Sequence, residues 1–524
     1  MISVPPTPRT QLYRDPHGRY VHDLILESCQ RFGDKTAIVD HSCDPPKRIK
    51  YAEYGDLVER LAAGLNSRLR PGAVIGIFLC NSWEFCAAYH AASLADCIPT
   101  LLNPSYRERE VRYQLENSGA AALITDAPQM QGISLSGLPS LQQVFAARTP
   151  AAGASQLKEL LGAARGKHSI KAGDPEQTVA ALPYSSGTTG LPKGVMLSHS
   201  NLVTNIFQFL APGEEATYTG DDVALCCLPL YHIYGLNVVL NSILAVGGTL
   251  VLMPRFDETK FCRLIREEAP TFLPLVPPVI NCLSRAAEQN AFPREHGVRY
   301  VKSGAAPLAP ELARRFTDLT GIRLRQGYGM TEASPVTHIG FIEADRYCPD
   351  SMGQAVARTE CRLEGGHDSC HGELVMRGPQ FMLGYWNSPE ATASVLRDGW
   401  YWSGDVATVD TNGFYRIVDR VKEMIKYKGF PIAPAEVEGV LLEHPMVHDC
   451  GLVGRRDDAA GEIPCAFVVL RDGQAGNDKI AEELCGYVGE RLTGYKQPRE
   501  VRFVHSIPRN PSGKILRRKL RDEL

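Results

Sequence analysis

The chain has 524 residues, past the length at which a single hydrophobic core keeps growing, so at least two domains are expected. Its composition, 44% hydrophobic and 22% charged, is that of an ordinary globular protein, and a net charge of −3 gives no electrostatic basis for holding nucleic acid or an anionic membrane surface. Fifteen cysteines, an odd number without a CxxC pair or a metal-ligand spacing, argue against a disulfide scaffold and fit buried free thiols in a reducing cytoplasm.

The opening "MISVPPTPRTQLYRDPHGRY" lacks the basic-then-apolar layout of a signal peptide, so the terminal "RDEL" reads as a chance likeness to a retention tag. "YAEYGDLVERLAAGLNSRL" spaces its apolar residues as a helix, "GAVIGIFLC" as a strand, and "WEFCAAYHAASLA" as the next helix. The longest apolar stretch, Phe85 to Leu102, carries His90 and Asp96 and reads as a buried helix followed by a strand, not as a membrane span. The same order returns in "GDDVALCCLPLYHIYGLNVVLNSILAVGGTLVLM" and "PTFLPLVPPVINCLSRAAEQ", which argues for an α/β architecture with largely parallel sheets. After about residue 350 short strands with Gly and Asp turns take over ("HGELVMRG", "DGWYWSGDVATVDTNGFYRIVDR"), as in a small antiparallel unit. The last hundred residues mix strands and helices as a compact α+β unit.

One segment is mostly backbone, hydroxyls and a single cation: "YSSGTTGLPKGVMLSHSN", Tyr184 to Asn201. Glycines let N–H groups converge on an anion, hydroxyls add donors and lysine adds charge, so a phosphate is the expected guest. It is not a Walker loop. Lys193 follows Pro192 and precedes Gly194, and "SGK" at 512–514 runs on into Ile515, where that loop needs Ser or Thr.

The segment resembles the signature of the AMP-forming adenylating superfamily, which includes acyl-CoA synthetases, peptide-synthetase adenylation domains and luciferases. Further stations of that family follow in order: "PLYHIYG" (229–235), "SGAAPL" (303–308), "QGYGMTE" (326–332), "GWYWSGD" (399–405), "IVDRVKEMIKYKGFPIAPAEVE" (417–438) and "NPSGKILRR" (510–518). The hinge motif is most similar to that of 4-coumarate–CoA ligase-like enzymes. The resemblance implies a large N-terminal domain over residues 1–420, made of two layered α/β lobes and a small β-barrel. A mobile α+β domain, 421–524, is implied to follow, with its hinge at Lys422.

Roles carry over by resemblance. The family joins a carboxylate to the α-phosphate of ATP, then passes the acyl group to a thiol, with ATP, Mg²⁺ and CoA as the implied cofactors. Ser185, Ser186, Gly187, Thr188, Thr189 and Lys193 are implied to hold the phosphates, and Glu332 to ligate Mg²⁺; standing alone, Glu332 would read as a carboxylate at a helix N-terminus. Gly304, Ala305, Ala306, Gln326, Gly327, Tyr328, Gly329 and Thr331 are implied to surround the nucleotide, although Tyr328 on spacing alone could equally be core. Asp405 is implied to accept both ribose hydroxyls and Arg420 to add a ribose or phosphate contact; Ser403 stands where most members have Thr and keeps the hydroxyl. His232 is implied to gate the acyl pocket, a role a lone histidine would not suggest. Lys514 is implied to span carboxylate and α-phosphate, where "KILRRKLRDEL" would otherwise read as a solvated basic helix. Lys426, Lys428 and Gly429 are implied to face the CoA tunnel after the domain swings. Pro431 replaces a polar residue of close relatives, removing both the side chain and the N–H that a nucleotide contact would use.

Ile233 stands where amino-acid adenylation domains carry an aspartate for the substrate ammonium, so an α-amino acid is not expected. A pocket wall of Ile233, Tyr234, Lys302, Ser303, Pro335 and Val336, with Ala305, Gly327 and Gly329, suits an aromatic, arylpropenoic or medium-chain acid. Three functions stay open: an acid–CoA ligase, a fatty acyl-AMP ligase loading a carrier protein, and a non-catalytic nucleotide-binding relative. The intact "KYKGF" and the presence of Lys514 and Glu332 favour the first.

Overall fold

The computed structural model describes residues 16–162, 173–185, 191–210, 218–306, 308–365, 370–420, 422–428, 430–457, 460–471, 475–509 and 513–524. Apolar runs become central strands, as their buried faces on both sides require. Val74–Phe78 lies inside a five-stranded parallel sheet in the order Ile98–Leu101, Val74–Phe78, Ala122–Thr125, Gln143–Ala146, Ser155–Gln156. Trp83–Leu94 is the expected buried helix, capped by the Ser82 hydroxyl, which accepts the Phe85 N–H at 3.2 Å.

A nine-stranded sheet forms the second lobe, in the order Gln354–Ala355, Val336–Ile339, Arg323–Gly329, Tyr300–Ser303, Phe272–Leu275, Val223–Cys226, Thr249–Leu252, Thr36–Asp40, Lys47–Lys50. Its centre, from Thr36–Asp40 to Arg323–Gly329, is parallel, and antiparallel strands close both ends. This is the α/β alternation the sequence implies. One element departs from it: the apolar run after "PLYH" forms a π-helix, Tyr234–Asn241, continued by the α-helix Ser242–Ala245. Every residue of the π-helix is buried, so no exposed face betrays its period.

A small antiparallel sheet joins Gly384–Tyr385, Lys193–Ser198 and Val179–Ala181, and Tyr184–Ser185 pairs back onto Lys193–Ser198. Another contains Glu360–Glu364, His371–Arg377, Trp400–Val409, Leu396–Arg397 and Tyr415–Arg420. The last sheet begins at Ile425–Tyr427 and has its own core, in which Ile425, Ile432, Val437, Leu441, Leu452, Leu484 and Val488 pack apart from the large core. All fifteen cysteines are free, and among the described residues no helix is long and apolar enough to cross a membrane.

Candidate active site

Several parallel strands of the large sheet end at one place, the usual location for a ligand in an open α/β sheet. Strand Tyr300–Ser303 ends at Gly304, and strand Arg323–Gly329 delivers Tyr328 and then the 3₁₀ turn Thr331–Ala333 that carries Glu332. His232 follows strand Val223–Cys226.

Asp405 and Arg420 face each other across paired strands, with Arg420 Nε 3.1 Å from Asp405 Oδ1. The Tyr328 hydroxyl donates to Asp405 Oδ2 at 2.5 Å. The carboxylate, only 6% exposed, is thus held by a phenol on one oxygen and a guanidinium on the other. The serine that replaces threonine keeps its work: Ser403 Oγ accepts the Asp405 N–H at 3.1 Å and donates to the Leu374 carbonyl at 2.6 Å.

Strand pairing sets Ser185 opposite Lys193. Ser185 Oγ donates to Glu332 Oε1 at 3.0 Å, the Tyr385 hydroxyl donates to the same oxygen at 2.9 Å, and Lys193 Nζ lies 5.3 Å from the Tyr385 ring centre. Ser185 is thus bonded to Glu332, and Lys193 lies beside them, against Tyr385. Ser186, Gly187, Thr188, Thr189 and Gly429 lie outside the described residues. Among the described residues no group of three or more His, Cys, Asp or Glu could by itself hold a metal. The donor set here, one fixed carboxylate beside the phosphate-loop residues, fits Mg²⁺, which takes one or two carboxylates and completes its shell with substrate phosphates and water.

Of the other residues expected on the nucleotide side, Ala305 adopts φ +70° and is exposed, while Ala306 and Thr331 are half-buried. Gln326 spends its amide within the protein, accepting the Leu308 N–H at 3.3 Å and donating to the Pro349 carbonyl at 2.7 Å. The residues expected to line the acid pocket, Ile233, Tyr234, Lys302, Ser303, Pro335 and Val336, are all buried. Tyr234 donates its hydroxyl to the Lys302 carbonyl at 2.9 Å, and Lys302 Nζ lies 4.0 Å from the Phe209 ring centre. One glycine is dictated by close approach: a Cβ on Gly329 would sit 2.0 Å from the Pro335 carbonyl oxygen, whereas one on Gly327 would meet only the flexible end of Lys302, at 3.0 Å from Cε. His232 Nδ1 accepts the Tyr234 N–H at 3.2 Å, and burial lowers the imidazole to about 4. At neutral pH the ring is therefore uncharged, with Nε2–H as its donor.

Lys514 reaches the site from the C-terminal unit. A Cβ on the preceding Gly513, whose φ is +86°, would stand 2.9 Å from Pro278 Cγ, in the first turn of helix Pro277–Glu288. Burial, then the Arg420 cation, lowers Lys514 from 10.5 to about 8, with Asp405 and Glu423 opposing the shift. By contrast Lys426 and Lys428 are exposed, as is Lys422. The structure thus joins Lys514, and not the CoA-side strand, to the Asp405–Arg420 pair.

Two positioning residues escape a reading of the sequence. Tyr385 fixes Glu332 from 53 residues away, and Arg509 holds the Lys514 turn by donating to the Gly513 carbonyl at 2.8 Å while pairing with Asp449 at 2.7 Å. "LGYW" around Tyr385 carries no charge or spacing that marks it.

Residues 25–386 match the model of the AMP-binding enzyme family, and residues 436–514 match the model of the AMP-binding enzyme C-terminal domain. 4-Coumarate–CoA ligase 5 of Oryza sativa subsp. japonica is 38% identical, over 96% of this chain and 94% of its own. Benzoate CoA ligase from Burkholderia xenovorans superposes with TM-score 0.85 at 28% identity, covering 96% of this chain and 100% of that one. The o-succinylbenzoate CoA synthetase from Bacillus subtilis, solved with its acyl-adenylate intermediate, gives TM-score 0.80 at 29% identity, over 95% and 98% of the two chains. With both family models matched in order, the first over more than half of the chain, the chain belongs to the AMP-binding enzyme family.

Proposed function

We propose that the chain is an ATP-dependent carboxylic acid–CoA ligase acting on an aromatic or arylpropenoic acid, through an acyl-AMP intermediate. The observation that carries this reading is the approach of Lys514 to the Asp405–Arg420 pair, together with the burial of Ile233, Tyr234, Pro335 and Val336, the apolar residues expected to line the acid pocket. In the first half-reaction a carboxylate oxygen of the acid attacks the α-phosphorus and pyrophosphate leaves. Lys514 offers its ammonium to the charge that gathers between carboxylate and α-phosphate, and the neutral His232 offers Nε2–H to the carboxylate. Asp405 accepts the ribose hydroxyls while Tyr328 and Arg420 keep its oxygens oriented. Ser185 and Lys193 bind the outer phosphates, and Glu332, steadied by Tyr385, would hold Mg²⁺, which supplies charge neutralisation to phosphate oxygens when bound.

In the second half-reaction the thiol attacks the acyl carbon and AMP leaves. Lys426, Lys428 and Gly429 are the residues for that step, and the exposure of Lys426 and Lys428 supports a rotation of residues 421–524 about Lys422 between the two halves. The relatives' own names put 4-coumarate and benzoate first among the acids to try, and medium-chain acids complete the panel. ATP-, Mg²⁺- and CoA-dependent release of AMP and pyrophosphate, matched by acyl-CoA, is the expected result. Release of ADP and orthophosphate would overturn the mechanism, and thioester formed only on a phosphopantetheinylated carrier protein would make the chain a carrier-loading ligase.

A further inference from the structure

The π-helix Tyr234–Asn241 begins at the acid pocket and ends deep in the interior, and a line of buried polar side chains runs along it. Asn237 Nδ2 donates to the Ser334 carbonyl at 2.6 Å and to the Leu202 carbonyl at 3.2 Å. Asn237 Oδ1 accepts from Asn241 Nδ2 at 2.9 Å, Asn241 Oδ1 lies 3.0 Å from His90 Nε2, and His90 Nδ1 lies 2.6 Å from the Tyr54 hydroxyl. Tyr54, His90, Asn241 and Ser334 are all 0% exposed and Asn237 is 1% exposed. Tyr54 and His90 stand on the helices Tyr51–Asn66 and Trp83–Leu94, which pack on each other and carry none of the residues expected in the pocket.

The direction of every bond follows from its pocket end. A carbonyl only accepts, so Asn237 must turn its amino group to Ser334 and its oxygen to Asn241. Asn241 must then turn its amino group to Asn237 and its oxygen to His90. His90 must in turn carry its proton on Nε2 and accept the Tyr54 O–H on Nδ1. No member can be reversed without setting two acceptors or two donors face to face in a buried site, and a buried polar group left unsatisfied is costly. Ser242 Oγ donates to the Asn237 carbonyl at 2.8 Å, five residues back, which fits the wide π turn. The wall itself has a second brace, because Asn205 takes the Val336 N–H at 3.0 Å and gives to its carbonyl at 2.8 Å.

At its pocket end the chain ties together two segments that bear acid-pocket residues, through the bond from Asn237 to the Ser334 carbonyl. One is the helix start bearing Ile233 and Tyr234; the other is the strip Ser334–Pro335–Val336. We propose that Asn241 and His90, neither of them in the pocket, are positioning residues for acid selection: through Asn237 they fix the separation of these two segments and so the width of ring the pocket admits. This rests on the acid–CoA ligase reading above.

The test uses the full-length chain with ATP, CoA and acids that differ in ring width, from an unsubstituted cinnamate to a dimethoxylated one, and compares wild type with Tyr54→Phe, His90→Phe, His90→Gln and Asn241→Leu. Loss of a link next to Asn237 should raise the acid KM by about tenfold and flatten the preference between narrow and wide rings. The ATP KM should stay within about twofold, since the Ser334 N–H keeps its own bond to the Thr331 carbonyl at 3.3 Å and the chain acts only on the Ser334 carbonyl. Tyr54→Phe, at the far end, should change discrimination least, and His90→Gln, which returns a donor, should restore much of it. Should an apolar variant fail to fold, Asn241→Asp takes its place, with an acceptor where Asn237 needs a donor, and the same ratios decide. Folded His90→Phe and Asn241→Leu with unaltered acid discrimination, or with acid and ATP KM rising together, would overturn the inference. Wild-type protein that activates no acid would instead defeat the ligase reading itself.

Discussion

Replacing Lys514 by alanine removes one cation from a site that already pays to keep it. Burial and the Arg420 guanidinium lower the Lys514 ammonium from 10.5 to about 8, a shift worth about 3 kcal/mol against the charged form at about 1.4 kcal/mol per unit. An ammonium so poorly solvated gains most from an anion brought beside it, and the acid carboxylate with the α-phosphate is that anion. Loss of one such preorganised donor typically costs about 10²–10³ in rate, or about 2.7–4 kcal/mol. For Lys514→Ala that loss should fall on adenylation, read in a single turnover as pyrophosphate release. Preformed acyl-AMP offered with CoA should give thioester at close to the wild-type rate. The sign of the pH dependence follows from the same shift. The charged form is the active one and its value is lowered, so the adenylation rate of the free enzyme should fall as pH rises through about 8 rather than above 10, and Lys514→Ala should abolish that limb. Equal slowing of both half-reactions, or an unchanged alkaline limb in the variant, would refute the argument.

Three further outcomes are expected. Tyr385→Phe takes one of two hydrogen bonds from Glu332 Oε1 and should raise the Mg²⁺ concentration for half-maximal rate by about tenfold, measured by metal titration at saturating ATP. Gly329→Ala puts a methyl group where the Pro335 carbonyl lies and should lower stability by about 1–3 kcal/mol in a urea melt, with acid KM rising more than ATP KM. Lys422→Pro fixes φ at the hinge, so pyrophosphate release should proceed near the normal rate while thioester formation from acyl-AMP falls sharply in stopped-flow assays.

Much of the scaffold was legible because strands such as Val74–Phe78 and helices such as Trp83–Leu94 sit in apolar runs of the right length between turn residues. Asp405 and Arg420 were legible as members of family motifs; their pairing was not, because it depends on the register of strands Trp400–Val409 and Tyr415–Arg420. The π-helix was beyond reach for a different reason. A segment buried on every side has no polar stripe, so α and π periods leave the same trace in the sequence. Tyr385 on Glu332 and Gly513 against Pro278 are contacts between distant segments, set by sheet pairing and by domain placement, and neither leaves a local mark. The asparagine–histidine chain is hidden likewise: "YHAAS" and "GLNVVLNS" read as core, and only the packing of their helices shows what the polar members bind.

The claim on which the account turns is that a carboxylate oxygen attacks the α-phosphorus. Labelling both carboxylate oxygens of 4-coumarate, or of whichever acid the panel selects, with ¹⁸O and analysing the products by mass spectrometry tests it directly. Attack through acyl-AMP, followed by thiolysis at the carbonyl carbon, leaves one labelled oxygen in AMP, one in the acyl-CoA and none in pyrophosphate. Label in orthophosphate, with AMP unlabelled, would mean an acyl phosphate intermediate and would contradict the account.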